Sequence, residues 1–141
     1  MKKALIVYRS HSGMTKKYGK EIADFLEQNE VNTVLKSIEE FDNHLLDDAD
    51  YVFIGCWTNG LFLFMQHPDK KWKKFAQQLP AFNHSKKALF TTYKLATGSM
   101  FDQMKKHLNR NAGNISLELK SKNGKLSEAD KIAIQDFIKS S

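Results

Sequence analysis

One cysteine and two prolines are all the chain has of either residue, and each scarcity excludes something. The lone Cys56 cannot close an internal disulfide, so the chain suits a reducing compartment, and the cytoplasm is the expected location. Five histidines (His11, His44, His67, His84 and His107) show no H-x-x-H or H-x-x-x-H spacing, so no structural zinc site is expected. Long apolar runs are missing too. The first, Ala4 to Tyr8, falls short of the ~7–15 residues of a secretory core and of the roughly 18 of a membrane span. Arginine is scarce: Arg9 and Arg110 are the only two among 22 basic residues, although the net charge is +6. Forked recognition of bases and phosphates favours Arg, and no zinc-finger or RNA-recognition spacing occurs, so nucleic acid is not an expected partner. There is also no G-x-S-x-G elbow, Walker lysine or dinucleotide fingerprint.

What is present is ordinary for a folded domain: 41% hydrophobic and 27% charged residues in 141. That length suits one domain, residues 1–141, with one core. The charge is uneven. Glu39 to Asp50 holds six carboxylates and no Lys or Arg, whereas His67 to Lys125 holds thirteen Lys/Arg against Asp69, Asp102 and Glu118. Such asymmetry suits an acidic partner.

Ala4 to Tyr8 reads as a strand covered on both faces. Met14 to Gln28 carries Tyr18, Ile22, Phe25 and Leu26 on one helical stripe. "VNTVLKSI", "YVFIGC", "KALFTTY" and "ISLELKS" are four further strands. "FDNHLL" is a short helical or irregular piece, and Pro68 opens a helix through Trp72, Phe75 and Ala76 that Pro80 closes. Another helix is expected from about Ser99 to Leu108. After an Asn123-Gly124 turn, Ser127 and Asp130 cap a last helix. Strands alternating with helices mean an α/β domain with a five-stranded parallel sheet, and an apolar first strand favours the order 2-1-3-4-5. Ligands in such sheets sit at the carboxyl ends of the strands beside the reversal of order. The loops there are "RSHSGMT", "CWTNGLFLFMQH" and "YKLATGS".

The first of these loops has a chemistry of its own. A helix start presents unpaired amides and partial positive charge, Gly13 permits a positive φ, and Ser10, Ser12 and Thr15 can donate to phosphate oxygens without a counter-charge. The alternative is that Ser12 only caps the helix, but a cap needs one hydroxyl and three are present. In the third loop, Ser99 is read as a cap for the following helix. Cys56, at a buried strand end, is read as core.

Here the chain resembles the flavodoxin family. The family's phosphate loop reads [T/S]-x-[T/S]-G-x-T between strand one and helix one, and Ser10-His11-Ser12-Gly13-Met14-Thr15 matches every fixed position. The loop after strand three often reads G-C-x-T-W; Gly55-Cys56-Trp57-Thr58-Asn59 stands here. The resemblance covers the whole chain in its short form and implies a flavodoxin-like three-layer sandwich, noncovalently bound FMN, and electron transfer between redox partner proteins. It places Ser10, His11, Ser12, Gly13, Met14, Thr15 and Thr58 on the phosphate. Around the ring it places Trp57, Asn59, Gly60, Tyr93, Lys94, Leu95, Ala96, Thr97 and Gly98.

Two departures bear on that expectation. The aromatic usual beside the flavin falls at Asn59, so Trp57, Phe62 or Phe64 is left to supply stacking area. The apolar run Leu61 to Met65 is read as loop, walling the ring or forming an interface. Lys94 stands where flavodoxins commonly carry an acid, which raises the potential at which an already anionic flavin accepts a further electron. Lys70, Lys71, Lys73, Lys74, Lys105 and Lys106 are expected on one side of the sheet, suited to an acidic redox partner. Two alternatives stay open: an interaction module or subunit with weak or lost flavin binding, and a small FMN-dependent reductase. A phosphoacceptor receiver would need acids where Arg9 and Cys56 stand.

Overall fold

The computed structural model describes residues 1–61 and 64–140. Its main sheet contains β1 (Lys3–Arg9), β2 (Asn32–Ser37), β3 (Tyr51–Trp57), β6 (Lys86–Thr92) and β7 (Ile115–Ser121) in the order β2-β1-β3-β6-β7. Every pairing in it is parallel. This is the expected order, with β6 and β7 as the fourth and fifth strands of that sheet. Four helices cover it: α1 (Met14–Gln28), α2 (Lys70–Gln78), α3 (Met100–Ala112) and α4 (Glu128–Lys139). "FDNHLL" contributes a 3-10 turn at Asn43–Leu46.

The apolar run of β1 is continuous because it is covered twice. Leu5 and Val7 join Trp72, Ala76, Met100 and Met104 under α2 and α3. Ala4, Ile6 and Tyr8 point the other way, into Tyr18, Ile22 and Leu26 of α1 and Ile134 and Phe137 of α4. At the edge, β7 buries alternate residues, as its sequence reads. Between β3 and β6, Gly55 lies opposite Phe90. A Cβ on Gly55 would fall 2.2 Å from the Phe90 ring, so the missing side chain is what lets that ring lie on the sheet.

Helix limits follow local chemistry, with two shifts from expectation. α2 begins at Lys70 rather than Pro68, because Asp69 is its N-cap and accepts from the Lys71 and Trp72 amides. α3 runs to Ala112 rather than ending near Leu108, since no breaker intervenes before Gly113 at φ 67. The Ser127–Asp130 capping box is present at α4. With α2 and α3 on one face, Lys70, Lys71, Lys74, Lys105 and Lys106 are exposed there, and Lys105 Nζ lies 2.5 Å from Glu118 Oε2.

The second loop departs most from expectation. β4 (Asn59–Leu61) and β5 (Phe64–His67) form a separate antiparallel hairpin. The run Leu61 to Met65, read as loop, is therefore strand at both ends. Its continuous apolarity hid the strands, because a hairpin announces itself by alternation and this run has none. Phe62 and Leu63 lie outside the described residues, as does the side chain of Phe64.

Candidate functional site

β1 ends at Arg9, and the chain turns through Ser10 to Gly13 into α1. Gly13 occupies the N-cap with φ 93, a left-handed conformation that a side chain would strain. The N-cap residue has no side chain to offer, and Ser12 is not the cap. Instead the Gly13 amide donates to Ser10 Oγ at 3.0 Å and the Lys16 amide to the same atom at 3.3 Å. Thr15 is fully buried, its hydroxyl 2.7 Å from that of Thr92 at the end of β6. Thr58 makes a similar pair with Thr91 at 2.7 Å, and its amide donates to Thr92 O at 2.8 Å. These contacts bind the ends of β3 and β6 and the first turn of α1 into one floor.

Trp57 closes β3 and is held from behind. Its indole N–H donates to Asp69 Oδ2 at 3.1 Å, and Arg9 Nε donates to the same oxygen at 3.1 Å. Asp69 Oδ1 accepts from the Lys71 amide at 2.6 Å. Burial pushes the Asp69 carboxyl up, but the bonds from Arg9, Lys71 and Trp57, with the Arg9 charge, outweigh it and leave the group below its usual value. In front, the His11 imidazole stacks on Trp57 with centroids 4.6 Å apart and planes 27° apart. Cys56 beside it is fully buried and its thiol is pushed up by desolvation, a core residue and not a nucleophile.

The third loop leaves β6 at Tyr93, whose amide donates to Ser121 O at 3.2 Å. Ser99 occupies the N-cap position of α3, but its hydroxyl donates to Gln66 O at 3.1 Å, away from its own helix. The β6–α3 loop is thereby tied to the hairpin. Gly98 packs against the Gln66 side chain.

Between these loops lies a cavity of about 620 Å³. Among the expected residues, His11, Ser12, Met14, Trp57, Thr58, Asn59, Gly60, Tyr93, Lys94, Leu95 and Ala96 line it. Ser10, Gly13, Thr15, Thr97 and Gly98 do not; they shape the turns behind the wall. Gln66, Thr92 and Lys122 line it without having been expected. Thr92 is the last residue of β6 and Lys122 the first beyond β7, so their place at strand ends was the available signal. Gln66 became visible only once the hairpin folded back. Among the described residues no carboxylate lines the cavity, and neither Lys94 nor Lys122 forms an ion pair.

The donor set suits FMN. One part of the wall offers the hydroxyl of Ser12 and the open start of a fifteen-residue helix, fit for a phosphate. Another offers Trp57, Tyr93, Leu95 and Ala96, fit for a planar ring, and the volume lies in the ~300–1,000 Å³ range of ligand pockets. Among the described residues no group of His, Cys, Asp and Glu could hold a metal ion, and no helix is long and apolar enough to cross a membrane.

The flavodoxin-domain family model matches residues 5–130. No curated protein sequence matches the chain. Among solved structures, two-electron reduced Megasphaera elsdenii flavodoxin is similar with a TM-score of 0.75 and 17% identity, over 97% of this chain and 99% of that one. Oxidised Flavodoxin 1 from Bacillus cereus gives 0.71 and 19%, over 99% of each. The rubredoxin oxygen:oxidoreductase of Desulfovibrio gigas gives 0.64 and 15%, over 96% of this chain but 34% of that one, so the same fold also occurs within a longer protein.

Proposed function

The chain belongs to the flavodoxin-domain family, and from that premise we propose that it binds FMN in the cavity beside α1 and carries electrons between partner proteins. The observation that carries this is one cavity joining a helix start to an aromatic wall, at the carboxyl ends of β1, β3 and β6. Bound FMN would supply the redox chemistry; the chain's own residues bind, orient and set the electrostatics. Ser12 and the α1 amides would take the phosphate. Trp57, fixed by Asp69, would give one face for the ring, and Tyr93 to Ala96 would border it. Gly60 and Gln66 bring the hairpin backbone to the same rim.

The His11–Trp57 stack bears on how a ring would be received. With those centroids only 4.6 Å apart, no second ring fits between them, so a flavin stacking on that face of the indole would have to displace His11. A second reading rests on the same contact: if the stack persists, the chain is an interaction module with weak flavin affinity. Titrating FMN into the purified protein, followed by flavin fluorescence quenching and the visible spectrum, separates them. Saturable quenching with a shifted spectrum supports the carrier; unquenched flavin at high protein concentration overturns it.

A further inference from the structure

The phosphate expectation drawn from the sequence relied on neutral donors, and the structure has committed several of them elsewhere. Ser10 Oγ draws the Gly13 and Lys16 amides to itself. The Thr15 and Thr58 hydroxyls are paired with Thr92 and Thr91. A phosphate dianion at the head of α1 therefore meets fewer neutral donors than three hydroxyls and a helix start suggest, while a cation stands at the cavity wall. Lys122 lines the cavity together with Ser12 and Met14.

The loop that carries Lys122 is strapped onto the first turn of α1. Lys17 Nζ donates to Asn123 O at 3.2 Å, and the Gly124 amide donates to Ser121 Oγ at 3.0 Å. Gly124 is pressed so closely on Met14 that a Cβ there would lie 2.8 Å from its sulfur and 3.0 Å from its carbonyl oxygen. Farther along, the Leu126 amide donates to Glu21 Oε1 at 3.1 Å. The Lys122 ammonium rests 5.8 Å from the centre of the Tyr93 ring, a weak contact that keeps the side chain at the cavity without neutralising it. The first turn of α1 carries no acid. With its loop held at the start of α1, Lys122 brings a full charge to a cavity whose α1 end already favours an anion.

Building on the FMN reading, we propose that Lys122 is the counter-charge for the phosphate and sets the chain's preference for FMN over riboflavin, which shares the ring but lacks the phosphate. Lys94 is placed differently, on the β6–α3 loop beside Leu95 and Ala96.

The test is to titrate FMN and riboflavin separately into the wild-type chain, Lys122→Met and Lys122→Arg, at low and high salt. Lys122→Met is expected to weaken FMN about tenfold, ~1.4 kcal/mol, while riboflavin changes less than about twofold. FMN affinity of Lys122→Met should also depend less on salt, and Lys122→Arg should keep the wild-type preference. Equal losses for both ligands, or no loss for either, overturn the assignment while leaving the FMN reading intact. A wild-type chain that binds no FMN overturns both. Because Lys122 is exposed, matching thermal melts for the variants are expected, and an unfolded Lys122→Met would itself show that the residue is structural.

Discussion

Replacing Asp69 by Asn tests how the aromatic wall is held. Asp69 is 8% exposed, and its two oxygens accept from Arg9, Trp57 and two amides of α2. Asn at an N-cap is as good as Asp, so the helix start survives if the amide oxygen takes the place of Oδ1. The amide nitrogen then faces the Arg9 and Trp57 donors, and both bonds are lost. Hydrogen bonds to a charged group contribute about 1.5–3 kcal/mol each, and breaking a fully buried pair costs about 3–5. The Arg9 side chain is 23% exposed and also reaches Glu39, which softens the loss. We expect about 2–4 kcal/mol of destabilisation on those figures.

Urea unfolding followed by circular dichroism reads that value, and tryptophan emission reports release of the indole. The pH dependence has a defined sign. The folded-state carboxyl titrates below its ordinary value, so its contribution is present above about pH 4 and disappears as pH falls through the lower folded value. The gap between wild type and Asp69→Asn should therefore be constant near neutrality and close in acid. A loss under about 0.5 kcal/mol, the level of an ordinary surface substitution, would refute the assignment of Asp69 as the anchor of Trp57.

Gly55→Ala forces a methyl group against the Phe90 ring and should cost about 1–3 kcal/mol in a thermal or urea melt. In a Phe90→Leu background the same substitution should cost less, and an equal cost would count against that packing. Lys94→Glu should lower the potential of the final reduction of bound FMN by roughly 60 mV, one tenfold step for one electron, in a spectroelectrochemical titration; an unchanged potential would mean that Lys94 acts only on solvent. Binding of an acidic redox partner through Lys70, Lys71 and Lys74 should slow steeply with added salt in stopped-flow association. Lys105 should matter less, since Glu118 already faces it.

Much of this molecule is legible in its residue order because the signals are local. β1 and β3 are apolar without interruption since both faces are covered, and β7 alternates since it lies at the sheet edge. Ser127 and Asp130 announce the start of α4 within four positions. The first loop, too, was readable as a turn with Gly13 at its tightest point. What could not be read this way depends on partners distant in the chain. That the Thr15 hydroxyl meets the Thr92 hydroxyl, 77 residues away, has no signal near Thr15 in the chain. Asp69 stands in the sequence only as one of three acids in a basic segment, and its role as a shared acceptor comes from Arg9 and Trp57 converging on it. The apolar run after Trp57 held no period to mark a hairpin, and Gln66 and Lys122 reached the cavity only through long-range folding. Periodicity and capping report which backbone states a segment prefers. Which hydroxyl is already bonded, and which lysine faces an anion, is set when separate strand ends meet in space.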